Sequence, residues 1–290
     1  MGTVKYSLPR ETNETPSQMY FVLNHSYETM VGANFNPLLL IGIVYAITFS
    51  IICAYLWAVG RFSGRIRYVL LILTIILGFA IFSPMIPHQF QTIVDRLADG
   101  ERIGTTVFSG IIGLGILTVL AALFSRHFCG YLCPIGAVQE AAYTIPTKKI
   151  LMQQKGILSV IRALFLGAII AGAFLFGIAL LDFFGFSDFF KLTLSAGTLV
   201  FIVILLIAII IYRPFCRIFC PVGAIFQAGA FPAIYKIRRT DACIECGKCE
   251  KTCPTHEAGS EDRKSECYLC RRCIDVCPKD GALVYGRKKV

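Results

Sequence analysis

Charge is scarce in this chain. Lysine, arginine, aspartate and glutamate make up only 16% of its 290 residues, whereas 56% are hydrophobic and the mean hydropathy is +0.68. Soluble domains average about 25% charged residues, so an ordinary water-soluble fold is excluded for most of the length. Charge is rarest inside the long apolar runs, which weighs against a transporter or channel, whose pathways need ionisable groups. No C-x-x-C-H occurs, which excludes covalently attached c-type haem. No nucleic-acid-binding motif accompanies the net charge of +10. No small-residue cleavage site precedes the first apolar run, which is therefore expected to stay in the mature protein.

What is present is a series of apolar runs. Five approach the length of about 20 residues needed to cross a bilayer: Pro37–Ala58, Ile66–Pro84, Val107–Ser125, Gly156–Leu181 and Ala196–Tyr212. Basic residues collect on alternate sides of them. Arg61, Arg65 and Arg67 fall between the first two runs. Arg126, Lys148, Lys149 and Lys155 fall between the third and fourth, and Arg213, Arg217, Lys236, Arg238 and Arg239 follow the fifth. The other loops, 85–106 and 182–195, hold few. The positive-inside rule then puts the N-terminus outside and the C-terminus in the cytoplasm. Residues 1–36 form a polar leader whose Asn13 and Asn24 head N-x-[ST] sequons, expected to be chance occurrences.

The chain has 13 cysteines, and a reducing cytoplasmic side argues against disulfides. Eight lie in the polar tail after Thr240, as Cys243-x2-Cys246-x2-Cys249-x3-Cys253-Pro254 and Cys267-x2-Cys270-x2-Cys273-x3-Cys277-Pro278. This is the run in which three close thiolates hold one [4Fe–4S] cubane and the fourth ligates the other cluster. The expected sets are Cys243, Cys246, Cys249 and Cys277, and Cys267, Cys270, Cys273 and Cys253. Structural zinc also uses C-x2-C pairs, but it needs neither the doubled three-plus-one pattern nor the trailing prolines. A tail of some fifty residues cannot build an ordinary core, so metal is expected to supply its folding energy. Its ten basic and nine acidic residues give no electrostatic hint of a partner.

Four more cysteines form a repeat. "RHFCGYLCPIGA" from Arg126 returns 87 residues later as "RPFCRIFCPVGA" from Arg213. Each copy follows an apolar run, and the two run through the membrane in the same sense, so an axis along the membrane normal is expected to bring them together. At helical spacing Cys129 and Cys133, like Cys216 and Cys220, point the same way. The four could hold one further [4Fe–4S] cluster, each pair could serve a separate centre, or the thiols could simply be buried. Arg126 and Arg213 could anchor the membrane edge by snorkelling or set positive charge beside an anionic cluster. His127 reads as a surface histidine, and Cys53 as structural.

The tail from Asp241 to Tyr285 resembles a bacterial-type ferredoxin domain with two clusters. Together with "CGYLCPIGA" and "CRIFCPVGA", the similarity from Ile66 onward is to the membrane polyferredoxins of the NapH, NosR and MauN type. That resemblance implies an α-helical integral membrane protein with a small α+β ferredoxin-like C-terminal domain. The expected parts are an N-terminal leader (1–36), an extra transmembrane helix (37–58), a two-repeat core (66–227), an amphipathic connector (228–240) and a ferredoxin domain (241–290). It also implies a multi-pass protein of the cytoplasmic membrane, working with a quinone pool and a redox partner protein as a subunit of a quinol-linked oxidoreductase. The fifth span and the external leader depart from the family's usual four-span core, and 36 residues are too few for the flavin-binding domain of the NosR type. His127, Glu140 and His88 are the candidate proton groups for quinol chemistry. The alternative is an assembly or maturation factor that delivers electrons to a metal or thiol centre of a client enzyme.

Overall fold

A computed structural model describes residues 37–80, 86–98 and 105–287. The leader 1–36, with Asn13 and Asn24, lies outside the described residues, as does the side chain of His88. The fold is mostly helical with one small sheet. Helix α1 (Pro37–Ala58) opens on a proline that suits a first turn, and α2 (Gly64–Ala80) is capped by Ser63, whose Oγ accepts from the Ile66 N–H at 3.3 Å. There follow α3 (Ile86–Ala98), α4 (Thr105–Phe124), a π turn at Phe128–Leu132 and α5 (Pro134–Tyr143). Helix α6 (Lys155–Phe176) ends at Gly177, in the left-handed conformation at φ 62°.

Then come a 3-10 turn (Leu180–Phe184), α7 (Phe186–Phe190), α8 (Ala196–Ile210), α9 (Pro214–Ile218) and α10 (Pro221–Ala230). Ser195 caps α8 by accepting from the Thr198 N–H at 3.1 Å. Among the described residues, α6 alone is long and apolar enough to cross a membrane, with mean hydropathy 2.2 over its best window. Shorter apolar stretches run through Val44–Ala58, Gly110–Phe124 and Ala196–Ile210.

The loops expected at 85–106 and 182–195 are in large part helical. In α3, Phe90 and Val94 stand one helical turn apart and enter the same core as Phe186, Phe190, Phe201 and Phe215. The Phe186 and Phe215 rings meet edge to face at 4.4 Å. Aromatic residues this dense bury themselves rather than remain in an external loop.

The cysteine-bearing halves exchange partners. Helix α5 packs between α2 and α8, and α10 packs between α6 and α4, so corresponding helices make corresponding contacts. The described residues from Leu38 onward form one compact unit. The segment expected as a connector at 228–240 ends α10 and then becomes strand β1 (Tyr235–Arg239). This strand pairs antiparallel with β2 (Leu283–Arg287), Ile237 facing Tyr285, and so clamps the two ends of the tail together. Between the strands lie only two short helices, α11 (Lys248–Thr252) and α12 (Arg272–Asp275).

Candidate metal centres

Proline dictates the local geometry of each C-x3-C-P pair. A residue before proline is driven out of the helical region, and Cys133 (φ −79°, ψ 114°) and Cys220 (φ −71°, ψ 113°) adopt nearly the same extended backbone. Each pair therefore does not ride on one helix face, as its spacing alone suggests. Cys129 sits in the π turn and Cys216 in α9, while Cys133 and Cys220 cap the next helices. The four thiols share one core cluster and lie within electrostatic range of one another. Burial pushes the Cys133 thiol up to about 12 and the Cys216 thiol up to about 11, so thiolates here need compensating positive charge.

N–H donors are already aimed at sulfur. Gly223 N–H reaches Cys220 Sγ at 3.2 Å, and the Gln139 amide reaches Cys216 Sγ at 3.3 Å. The glycine shared by the two copies is required by close approach. A Cβ on Gly136 would stand 2.8 Å from the Cys129 carbonyl oxygen, and one on Gly223 would stand 3.0 Å from that of Cys216.

The repeated arginines cross over. Arg126 donates to the Gly223 carbonyl of the second copy at 3.0 Å. Arg213 donates to the Gly130 carbonyl of the first at 3.0 Å and also to that of Cys129. Both are only 1% exposed, so they do not snorkel. Both approach one ring: Arg126 Cζ lies 4.5 Å and Arg213 Cζ 4.8 Å from the centroid of Tyr268. Burial pushes the Tyr268 phenol up to about 12, against the pull of Arg126 and Arg162, so it is neutral.

Two buried carboxylates hold the tail on the helices. Glu140 meets Arg67 at 2.6 Å, Arg213 at 3.0 Å and the tail's Arg272 at 2.7 Å. Burial alone would raise the Glu140 carboxyl, but Arg272, Arg213 and Arg67 hold it well below the usual carboxylate range. The tail's Glu266 meets Arg162 at 2.5 Å and Arg217 at 3.8 Å. Glu140 is thus a charge clamp rather than an available proton group. His127 is buried, not on the surface. Its Nδ1 lies 2.6 Å from the Phe124 carbonyl, and burial holds the imidazole down at about 4.

In the tail, a cavity of about 790 Å³ is lined by Cys253, Cys267, Cys270 and Cys273, and a smaller one by Cys243, Cys246, Cys249 and Cys277. The two runs match in backbone: Glu245 and Leu269 have φ 53° and 56°, and Gly247 and Arg271 both have φ 69°. Cys253 Sγ accepts from the Glu257 N–H at 3.3 Å. All thirteen cysteines, Cys53 in α1 included, are free of disulfides. Among the described residues no three His, Cys, Asp or Glu side chains are gathered tightly enough for a single metal ion. Thiols set in fours, with N–H groups donating to sulfur, are the donor chemistry of an iron–sulfur cage.

Several of these residues escape sequence reading. Arg162 is a lone charge inside an apolar run, a signal that could have been heeded. Glu266, Tyr268 and Arg272 look like ordinary tail residues, and nothing in the sequence marks Gln139.

A family model described as a 4Fe–4S binding domain matches residues 106–153 and 194–236, one C-x3-C-P pair in each segment. YccM of Escherichia coli, named for a provisional role in electron transport, is 30% identical over 193 residues, covering 59% of this chain and 54% of that one. The chain thus spans about half the length of YccM. The uncharacterized protein MJ0749 of Methanocaldococcus jannaschii is 30% identical over 198 residues, 67% of this chain and 76% of its own. The ferredoxin-type protein NapH of Escherichia coli is 25% identical over 205 residues, 64% and 70% of the two chains. No solved structure matches the chain. With its cysteine sets, its paired 4Fe–4S segments and these relatives, the chain belongs to the NapH/MauN-type polyferredoxin family.

Proposed function

We propose that this chain is a membrane-bound iron–sulfur electron-transfer subunit that passes electrons between a quinone/quinol pool and a partner redox protein. The observation that carries this reading is the contact of Tyr268, the neighbour of Cys267, with both Arg126 and Arg213 of the two C-x3-C-P copies. It brings two sets of thiols into one continuous buried assembly. Cys243, Cys246, Cys249 and Cys277 would hold one [4Fe–4S] cluster and Cys267, Cys270, Cys273 and Cys253 a second. The cavity linings support those crossed sets. Cys129, Cys133, Cys216 and Cys220 would hold a third, and their mutual proximity favours one shared centre over two. Bound [4Fe–4S] clusters supply reversible one-electron acceptance.

The tail's own repeat gives it a direction. Glu266, Tyr268 and Arg272, which contact the helices, correspond 24 residues earlier to Ala242, Ile244 and Lys248. Cys246 is exposed and Ile244 is 59% exposed. The Cys267 side therefore faces the helices, and the Cys243 side faces outward, where a partner protein can approach.

Membrane residence rests on an inverted distribution of polarity. Arg126, Arg162, Arg213 and Arg217 are among the most buried side chains, while Leu164 and Leu175 in α6 are 69% and 73% exposed. Apolar surface this extensive needs lipid rather than water. In this reading α1, α2, α4, α6 and α8 span, with α3 and α7 packed back into the bundle. The parts are an N-terminal leader (1–36), a first span, a two-repeat core (66–227), a short connector (228–240) and the cluster-bearing tail (241–290). The basic loops keep the tail cytoplasmic.

Quinol oxidation releases two electrons, which one-electron carriers accept in turn, and two protons, which pass to water. The test is anaerobic EPR of the purified protein treated with a reduced quinone analogue, and separately with dithionite. Signals from both reductants are expected. Signals from dithionite alone would remove the quinol role and favour a maturation factor.

A further inference from the structure

The four cysteines of the repeat are alike copy for copy, but a side chain facing them is not. By the 87-residue offset, Gln139 in α5 corresponds to Phe226 in α10. Gln139 is 0% exposed and reaches across into the second copy. Its Oε1 accepts from the Phe215 N–H at 3.1 Å. That contact fixes the amide's orientation and leaves Nε2 directed at the Ile135 carbonyl, 3.0 Å away, and at Cys216 Sγ, 3.3 Å away. Phe226 instead packs edge to face on Phe128, with ring centroids 6.0 Å apart, and a phenyl ring has no N–H to give. One sulfur of the four therefore receives a side-chain donor through the helix pairing, and its counterpart, Cys129, has only a phenyl ring at the matching position.

We infer that Gln139 is a positioning residue that sets the reduction potential of the centre Cys216 helps to hold. The inference rests on the proposed third cluster. A donor on a ligating sulfur favours the more negative, reduced state and raises the potential. In a buried site of low effective dielectric the preference is stronger than it would be in water. The same amide ties the Phe215 backbone, next to Cys216, to α5, so it also fixes where that sulfur stands. Ligand identity alone leaves the two halves equivalent; Gln139 makes them different.

The test uses the full chain in detergent, with an EPR-monitored redox titration and iron analysis of Gln139→Leu and Gln139→Glu. Glutamate keeps an acceptor for the Phe215 N–H but withdraws the donor and adds negative charge. Leucine removes both hydrogen bonds. Phe226→Leu serves as the control at the matching position. The midpoint of the third centre is expected to fall in both variants, by about tenfold in the reduction equilibrium for leucine, or ~59 mV for one electron, and by more for glutamate. The tail centres and the Phe226→Leu protein should titrate as before. An unchanged midpoint at normal iron content in both variants would overturn the inference, as would loss of the third centre's iron in both, since that would make Gln139 merely structural. If only leucine loses iron, the glutamate midpoint decides. A wild-type chain with no third centre would overturn the cluster assignment itself, and this inference with it.

Discussion

Replacing Glu140 with glutamine tests whether buried charge holds the tail on the helices. Glu140 accepts from three guanidiniums at 2.6 to 3.0 Å, and glutamine keeps the shape while removing the charge. Removing one partner of a buried ion pair costs about 3–5 kcal/mol. Only Arg272 belongs to the tail, and its side chain is 17% exposed, so the lower end, about 3 kcal/mol, is the share that falls on docking. At 1.4 kcal/mol per decade, local opening of the tail should rise roughly 100-fold. Hydrogen exchange read by mass spectrometry over 264–277 reports that opening directly, with the helices as internal reference. Because the folded pKa of Glu140 is depressed, its contribution is fully present above the ordinary value of about 4.3. It is lost only as the pH falls through the lower folded value. Docking should therefore be flat between pH 5 and 8 in the wild type. Wild-type protection in Glu140→Gln at full iron content would refute the argument.

Gly136→Ala sets a methyl 2.8 Å from the Cys129 carbonyl, and an overpacking cost of about 1–3 kcal/mol should lower iron at the C-x3-C-P cysteines while the tail signals persist in EPR. Tyr268→Phe loses only the 3.2 Å hydrogen bond from Arg126 and should change tail protection by about 1 kcal/mol or less. Tyr268→Ala also removes the ring shared by two buried guanidiniums and should raise exchange by a further tenfold or more. Arg271→Gly relieves a non-glycine residue at φ 69°, worth about 1 kcal/mol, against an exposed 2.7 Å pair with Asp275 worth less. Its thermal midpoint should rise slightly.

Much of the architecture is legible because it follows from local rules. Apolar runs give helices, proline after cysteine turns the chain, and the doubled cysteine spacing sorts the tail thiols into the sets that line its two cavities. The short helices between the apolar runs are less legible. Phe186, Phe189 and Phe190 read as an external loop because flanking acids and a short length outweigh their aromatic content. Arg126 and Arg213 read either as membrane-edge anchors or as charge beside a cluster, and no one-dimensional pattern reveals that each reaches into the other copy. Glu140, Arg162, Glu266 and Arg272 become a clamp only once residues more than 100 positions apart in sequence are brought together. Long-range charge pairing leaves no periodic trace, so composition and spacing pass over it.

The central claim is that the repeat completes a third iron–sulfur centre beside the two in the tail. Iron and acid-labile sulfide per chain, with EPR, in the wild type and in Cys129→Ser and Cys216→Ser test it most directly. About twelve irons per chain, falling to about eight in each variant with both tail signals retained, is the predicted result. Equal iron in all three proteins would contradict it.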